Sequence, residues 1–157
     1  MSSKLTLKVS AGAFERAVLD RACKRLGMAP SRWEHDGLQI RGTREIGASI
    51  EIPGFPGRAV FNDAPAVDEK GQPVLDANGK QDREVKVHFE DWSPRSGYIK
   101  PESVAAIDAL TRAYNAILDE DTRAMVAEAQ EIARQNNQPT QVMEDEGVTV
   151  LEIQIGG

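Results

Sequence analysis

Residues 100–137, KPESVAAIDALTRAYNAILDEDTRAMVAEAQEIARQNN, contain no glycine and one proline, at the second position. Proline suits a first helical turn, where its missing N–H is not needed. Val104, Ile107, Leu110, Tyr114, Ile117, Leu118, Met125, Ala129 and Ile132 recur at three- and four-residue intervals, so they fall on one face of a helix. A stripe of that kind must be covered, and the rest of the chain has to supply the cover. Asp119, Glu120 and Asp121 interrupt it. Either one helix exposes that turn, or two helices meet there, with Asp121 or Thr122 capping the second. Consecutive carboxylates radiate around a helix instead of converging, which favours a solvated turn over a metal site.

The covering surface reads as a sheet. KLTLKV alternates Leu5, Leu7 and Val9 with Lys4, Thr6 and Lys8, the period of a half-buried strand. Ser10 is placed to cap a helix in which Phe14, Val18, Ala22, Cys23 and Leu26 face inward and Gly27 ends the last turn. After a loop with Pro30, Trp33 and His35, GLQIRG and EIGASIEIPGFPGRAVFN read as short strands, the last two joined as a hairpin through Pro53, Gly54, Pro56 and Gly57. In this pattern Ile46, Ala48, Ile50 and Ile52 share one face. PGFPG lacks the spacing of a phosphate loop, and prolines remove the N–H donors such a loop needs.

VDEKGQPVLDANGKQDREVKVHFEDW places Asp68, Asp76, Asn78 and Asp82 around two glycines. A calcium loop needs oxygen ligands at alternate positions and a glutamate at the twelfth. Counted from Asp76 the series runs Asn78, Lys80 and Gln81 to Val87, and from Asp68 it fails at Lys70. Asn78 and Gly79 tolerate positive φ. Residues 63–84 are therefore expected to form an exposed hairpin tip or mobile loop. A strand follows, with Val85, Val87 and Phe89 inward and Lys86, His88 and Glu90 outward. Trp92, in phase with His88, stands beside Glu90 and Asp91 as a candidate partner anchor, or folds under the next helix. TQVMEDEGVTVLEIQIGG closes the chain as a hairpin around an acidic turn. Its Gly156-Gly157 ending is that of ubiquitin-like modifiers, but those open with a hairpin, and this chain opens strand then helix.

These elements give an α+β fold: an antiparallel sheet packed by an N-terminal helix and a long C-terminal helix, with a terminal β-hairpin. At 157 residues, 40% hydrophobic and 28% charged, one domain over 1–157 is expected. No apolar run approaches the roughly 20 residues of a membrane span, and MSSKLTLKVS lacks the apolar core of a leader. A cytoplasmic setting follows, and the lone Cys23 suits a reducing compartment. Residues 1–44 hold nine Lys and Arg against four Asp and Glu, a balance of +5, and the remainder ten against twenty-one, −11. The asymmetry means either two opposed charged faces or two segments neutralising each other in one fold.

Catalytic material is sparse. There are two histidines and one cysteine, with no spaced Cys/His ligand set, no nucleophile elbow and no His-Glu-x-x-His. No metal or cofactor is expected. A Cys23, His88 and Asp91 triad would need the three to meet in space.

LTLKV, AVLDRACKRLGM, GASIEIPGFPGRAVFN, VKVHFEDW, ALTRAYNAI and VTVLEIQI, in that order, resemble a small family of conserved hypothetical chloroplast and cyanobacterial reading frames with bacterial and viral relatives. Residues 63–83 and 119–122 look like insertions relative to it. The resemblance implies a non-catalytic companion protein, one whose genes travel with those of AAA-type ATPases. It carries no functional residues. The expected function is an accessory protein-binding module, an adaptor to an AAA-type ATPase or a component of a homo-oligomer, with Trp92, Glu90 and Asp91 as the contact. The alternative is a nucleic-acid binder using Arg21, Lys24, Arg25 and Arg32 on phosphates, with Trp33 for stacking.

Overall fold

The computed structural model describes the backbone of residues 4–11, 13–40, 42–90, 92–93, 97–145 and 148–153, and the side chains of 13–40, 42–90 and 99–142. The chain divides into two compact units, Met1–Asn115 and Ala116–Gly157.

In the first unit β1 (Lys4–Ala11) leads to α1 (Arg16–Arg25), followed by β2 (Arg32–Ile40), β3 (Thr43–Glu51), β4 (Arg58–Pro65) and β5 (Arg83–Glu90). These strands form one antiparallel sheet in the order β1-β5-β4-β3-β2. A minimal pair, β6 (Trp92–Ser93) and β7 (Gly97–Tyr98), precedes α2 (Pro101–Gln135). The fold is α+β, as the hydrophobic periods require.

Helix α1 starts later than Ser10, which lies in β1; the N-cap is Glu15. Phe14 therefore precedes the helix, and its ring packs 6.5 Å from Phe61 and 6.2 Å from Tyr114. The Tyr114 hydroxyl accepts the Glu15 N–H at 3.0 Å, tying α2 to the start of α1. Val18, Leu19, Ala22 and Cys23 of α1 are buried, with Ala59 and Phe61 of β4, Val85, Val87 and Phe89 of β5, and Ile107 and Leu110 of α2. Each large side chain among them contributes roughly 1.5–3 kcal/mol relative to exposure. The N-terminus of α2 is fixed by the Ser103 hydroxyl, which donates to the Pro53 carbonyl at 2.6 Å.

The β3–β4 hairpin forms as expected, with Ala48 opposite Phe61 and Ile50 opposite Ala59. Ile46 departs from its expected face-mates: it is 53% exposed, while Ala48, Ile50 and Ile52 are buried. Trp33 and His35 are not in a loop but in β2, which begins at Arg32 and pairs Trp33 with Ala48.

Residues 66–82 form an arm, exposed from 67 to 81 and ordered by two copies of one turn. The Asp68 carboxylate accepts the N–H groups of Lys70 (2.9 Å) and Gln72 (2.8 Å), and that of Asp76 those of Asn78 (2.8 Å) and Lys80 (3.0 Å). Gly71 and Gly79, each third after its aspartate, have φ +78° and +79°, a region other residues avoid. At the base of the arm the Ala66 N–H donates to the Asp82 carbonyl, that of Val74 to Ala66, and that of Asp82 to Val74. The two aspartates thus act as turn formers, each with an oxygen committed to backbone donors.

In the second unit α2 continues without a break through Asp119–Thr122. Arg123 pairs with Asp119 at 3.2 Å one turn away, and the Thr122 hydroxyl donates back to the Leu118 carbonyl at 2.9 Å. One helix, not two, is formed. β8 (Thr140–Asp145) and β9 (Val148–Ile153) make the terminal hairpin, with Val142 opposite Leu151. Gly156 and Gly157 lie outside the described residues.

Candidate functional site

The sheet face turned away from the helices is also covered. Val60, cross-strand neighbour of both Ser49 and His88, is fully buried there, and Glu84 and His88 are 3% and 6% exposed. The cause is local. Pairing of β2 with β3 shifts register between Glu34 and Leu38, around Gly37 at φ +80°. A side chain at Gly37 would also strike that of Arg44. Beyond this bulge β2 bends back to touch β5, although β3 and β4 lie between them in the sheet.

Two polar clusters occupy the resulting concave face. In the first, His88 Nε2 lies 2.9 Å from Asn62 Oδ1 and 3.6 Å from Glu45 Oε2. Both neighbours are acceptors, so Nε2 carries the proton. The Asn62 amide donates to Glu45 at 3.3 Å and to the Ile46 carbonyl at 3.1 Å, which joins β3, β4 and β5 through side chains. In the second, Arg58 donates to the Ser49 hydroxyl (2.8 Å) and carbonyl (3.0 Å), and its Nη1 lies 3.5 Å from Glu51. The Ser49 hydroxyl donates to Glu34 at 2.7 Å, and Arg32 reaches the same carboxylate. The Ser49 hydrogen bond, then Arg32, holds the Glu34 carboxyl below its ordinary value of 4.5.

Beside the second cluster a recess of about 290 Å³ opens at the Pro-Gly turn, between Leu38, Gln39 and Ile40 of β2, Phe55, Pro56 and Gly57, Arg58 of β4 and Glu90 of β5. At Gly57 a Cβ would lie 2.6 Å from the Phe55 ring, so a side chain there would displace the ring. The ring therefore lies over this glycine and forms part of the recess wall.

The residues singled out in the sequence are distributed as follows. Glu90 borders the recess. Trp92 has its backbone in β6, opposite Tyr98, while its side chain and Asp91 lie outside the described residues. Arg21, Lys24 and Arg25 are exposed at one- and three-residue steps along α1. Arg32 and Trp33, consecutive on a strand, point to opposite faces. Trp33, 38% exposed, sits edge-on to His35 at 6.4 Å, and Arg32 pairs with Glu34. The nucleic-acid constellation is thus divided between two faces.

His88 is not a solvated surface residue but is buried in its cluster. Cys23 is buried in α1, on the helix side of the sheet, and His88 is on the other, so the two do not meet. Burial, then Asp20, pushes the Cys23 thiol up to about 11, far from a nucleophile's range. Among the described residues no three His, Cys, Asp or Glu side chains gather where they could hold a metal ion, and no helix is long and apolar enough to cross a membrane.

Phe55, Leu38 and Ile40 escaped the sequence reading. The signal was Phe55, the only large apolar residue within PGFPG, where a turn alone has no use for one. The family models, the curated proteins and the solved structures include no match to this chain.

Proposed function

We propose that this chain is a non-catalytic accessory module that binds another protein at the end of the sheet where β5 passes into β6. The recess beside Glu90, walled in part by Phe55, carries this reading. Its support is twofold. A pocket present before binding lowers the ordering cost of association. The polar groups next to it are bonded to one another rather than arranged around a reacting atom: His88 to Asn62, Arg58 to Ser49, Glu34 to Ser49 and Arg32. Trp92 follows Glu90 by two residues and extends the proposed contact. A cytoplasmic AAA-type ATPase, or a second copy of the chain, belongs to the same proposal as partner.

Capture of partners by tagged protein from its native source, with and without nuclease and ATP, tests this. A nuclease-resistant protein, weakened by Trp92→Ala, is expected; recovery of nuclease-sensitive material alone overturns the reading. The exposed row Arg21, Lys24 and Arg25 favours nucleic acid as a second reading, against which stand the net charge of −6 and the separation of Arg32 from Trp33.

A further inference from the structure

We propose that Asn78 is a site of spontaneous covalent modification: its side chain closes on the Gly79 nitrogen to a succinimide, which water opens to isoaspartate and aspartate, and the Asp76 turn sets the rate. Three observations on the arm carry this. Asn78 and Gly79 are both exposed. The Asn78 side chain makes no hydrogen bond among the described residues, although its backbone N–H donates to Asp76. The nitrogen that must be reached belongs to a glycine, and even the space a Cβ would take there meets nothing within 4 Å.

The other four asparagines lack this combination, each being followed by a residue with a side chain. The Asn62 amide donates to Glu45 and to the Ile46 carbonyl, and that of Asn136 to the Ile132 carbonyl. Asn115 lies inside α2, where helical hydrogen bonds hold the next N–H. After Asn137 the Gln138 N–H is held by the Ala133 carbonyl.

The chemistry needs only water and hydroxide. Hydroxide takes the Gly79 amide proton, the nitrogen bonds to Asn78 Cγ, the Cγ–Nδ2 bond breaks, and Nδ2 takes a proton from water and leaves as ammonia. Water then opens the ring. Cleavage between Cγ and the Gly79 nitrogen gives aspartate; cleavage at the Asn78 main-chain carbonyl gives isoaspartate, whose backbone runs through Cγ. Nothing is oxidised or reduced. In the closed turn the Gly79 N–H donates to the Asp76 carbonyl at 3.0 Å, and the Asp76 carboxylate holds the N–H groups of Asn78 and Lys80 on either side. Ring closure requires this turn to open, so Asp76 is a brake. Isoaspartate lengthens the backbone between Asp76 and Lys80 and undoes the turn. Either product adds a carboxylate to an arm where Asp68, Glu69, Asp76 and Asp82 already outnumber Lys70 and Lys80.

The test is incubation of the full chain at mildly alkaline pH, followed by peptide mapping with mass spectrometry and by isoaspartate labelling with a protein carboxyl methyltransferase. A gain of one mass unit is expected at Asn78 before any other asparagine, with isoaspartate among the products. Asn78→Gln removes the gain and leaves the urea midpoint unchanged. Asp76→Ala speeds conversion about fivefold, the factor by which one ordinary hydrogen bond keeps a turn closed. In the modified chain hydrogen exchange rises at Lys80 and stays as it was at Lys70 and Gln72. Modification first at another asparagine, or at Asp36 before Gly37, overturns the assignment, as does intact Asn78 after a blocked Ala-Asn-Gly-Lys peptide has wholly converted. An unchanged rate in Asp76→Ala overturns the role of the turn.

Discussion

Gly27 and Asn137 end the two helices with the same hydrogen bonds. At α1 the Met28 N–H donates to the Cys23 carbonyl and that of Gly27 to Lys24; at α2 the Gln138 N–H donates to Ala133 and that of Asn137 to Arg134. Both turning residues have positive φ, +70° and +56°. A Cβ at Gly27 meets nothing within 4 Å, so any cost of filling it is conformational. Gly27→Ala is expected to lower unfolding stability by about 1 kcal/mol, read from urea midpoints. Glu34 gives a pH-dependent counterpart. Its carboxyl is held below 4.5 by Ser49 and Arg32, so it binds fewer protons folded than unfolded, and its contribution is present above about pH 4.5 and lost as pH falls. Glu34→Gln should therefore flatten the decline of the urea midpoint between about pH 5 and pH 3. Unchanged steepness would show that other carboxylates set it. Asp63 acts in the same direction: burial opposes its ionisation, but Arg83 and the Phe14 N–H more than offset that.

The arm at 66–82 shows what a sequence gives away and what it conceals. Asp-Ala-Asn-Gly was legible as a reversal because Asn78 and Gly79 accept positive φ. That Asp68 to Gln72 repeats the same turn was hidden by dissimilar neighbours, Glu69 and Lys70 against Ala77 and Asn78, although the aspartate and the glycine recur at the same spacing. Because each turn closes on its own aspartate, the two should loosen independently. Asp76→Ala should speed hydrogen exchange at Asn78 and Lys80 and leave Lys70 and Gln72 as they were, at a global cost under about 1 kcal/mol. Joint loosening of both turns would mean that the base of the arm, not the aspartates, orders it. The strands and α2 were legible for a similar reason: periods of two and 3.6 record burial on one side. The concave face was not, because its cover depends on a bulge at Gly37. A glycine amid polar residues carries no sign that β2 will bend back to β5 and bury His88.

At the scale of the molecule, the charges of the described sheet in the first unit are mixed rather than sorted by sign. Arg32 and Glu34 lie on β2 beside Ser49, which Arg58 of β4 also reaches, and Arg83 with Asp63 joins β5 to β4. Cations and carboxylates are interleaved across one sheet, and ion pairs of this kind neutralise locally. The basic segment also exposes the α1 row Arg21, Lys24 and Arg25. With −6 overall, attraction to phosphate would have to come from such a row against an adverse background, and it would fade steeply with salt. The triple variant Arg21→Glu, Lys24→Glu, Arg25→Glu separates the two functional readings, because the row lies on α1 and the Phe55–Glu90 recess opens on the opposite face of the sheet. Partner capture at about 0.15 M salt should survive it, since α1 plays no part in the proposed contact and screening at that ionic strength confines charge effects to about 8 Å. Loss of capture together with loss of a salt-sensitive gel shift on single-stranded DNA would move the function to α1 and leave the recess without a role.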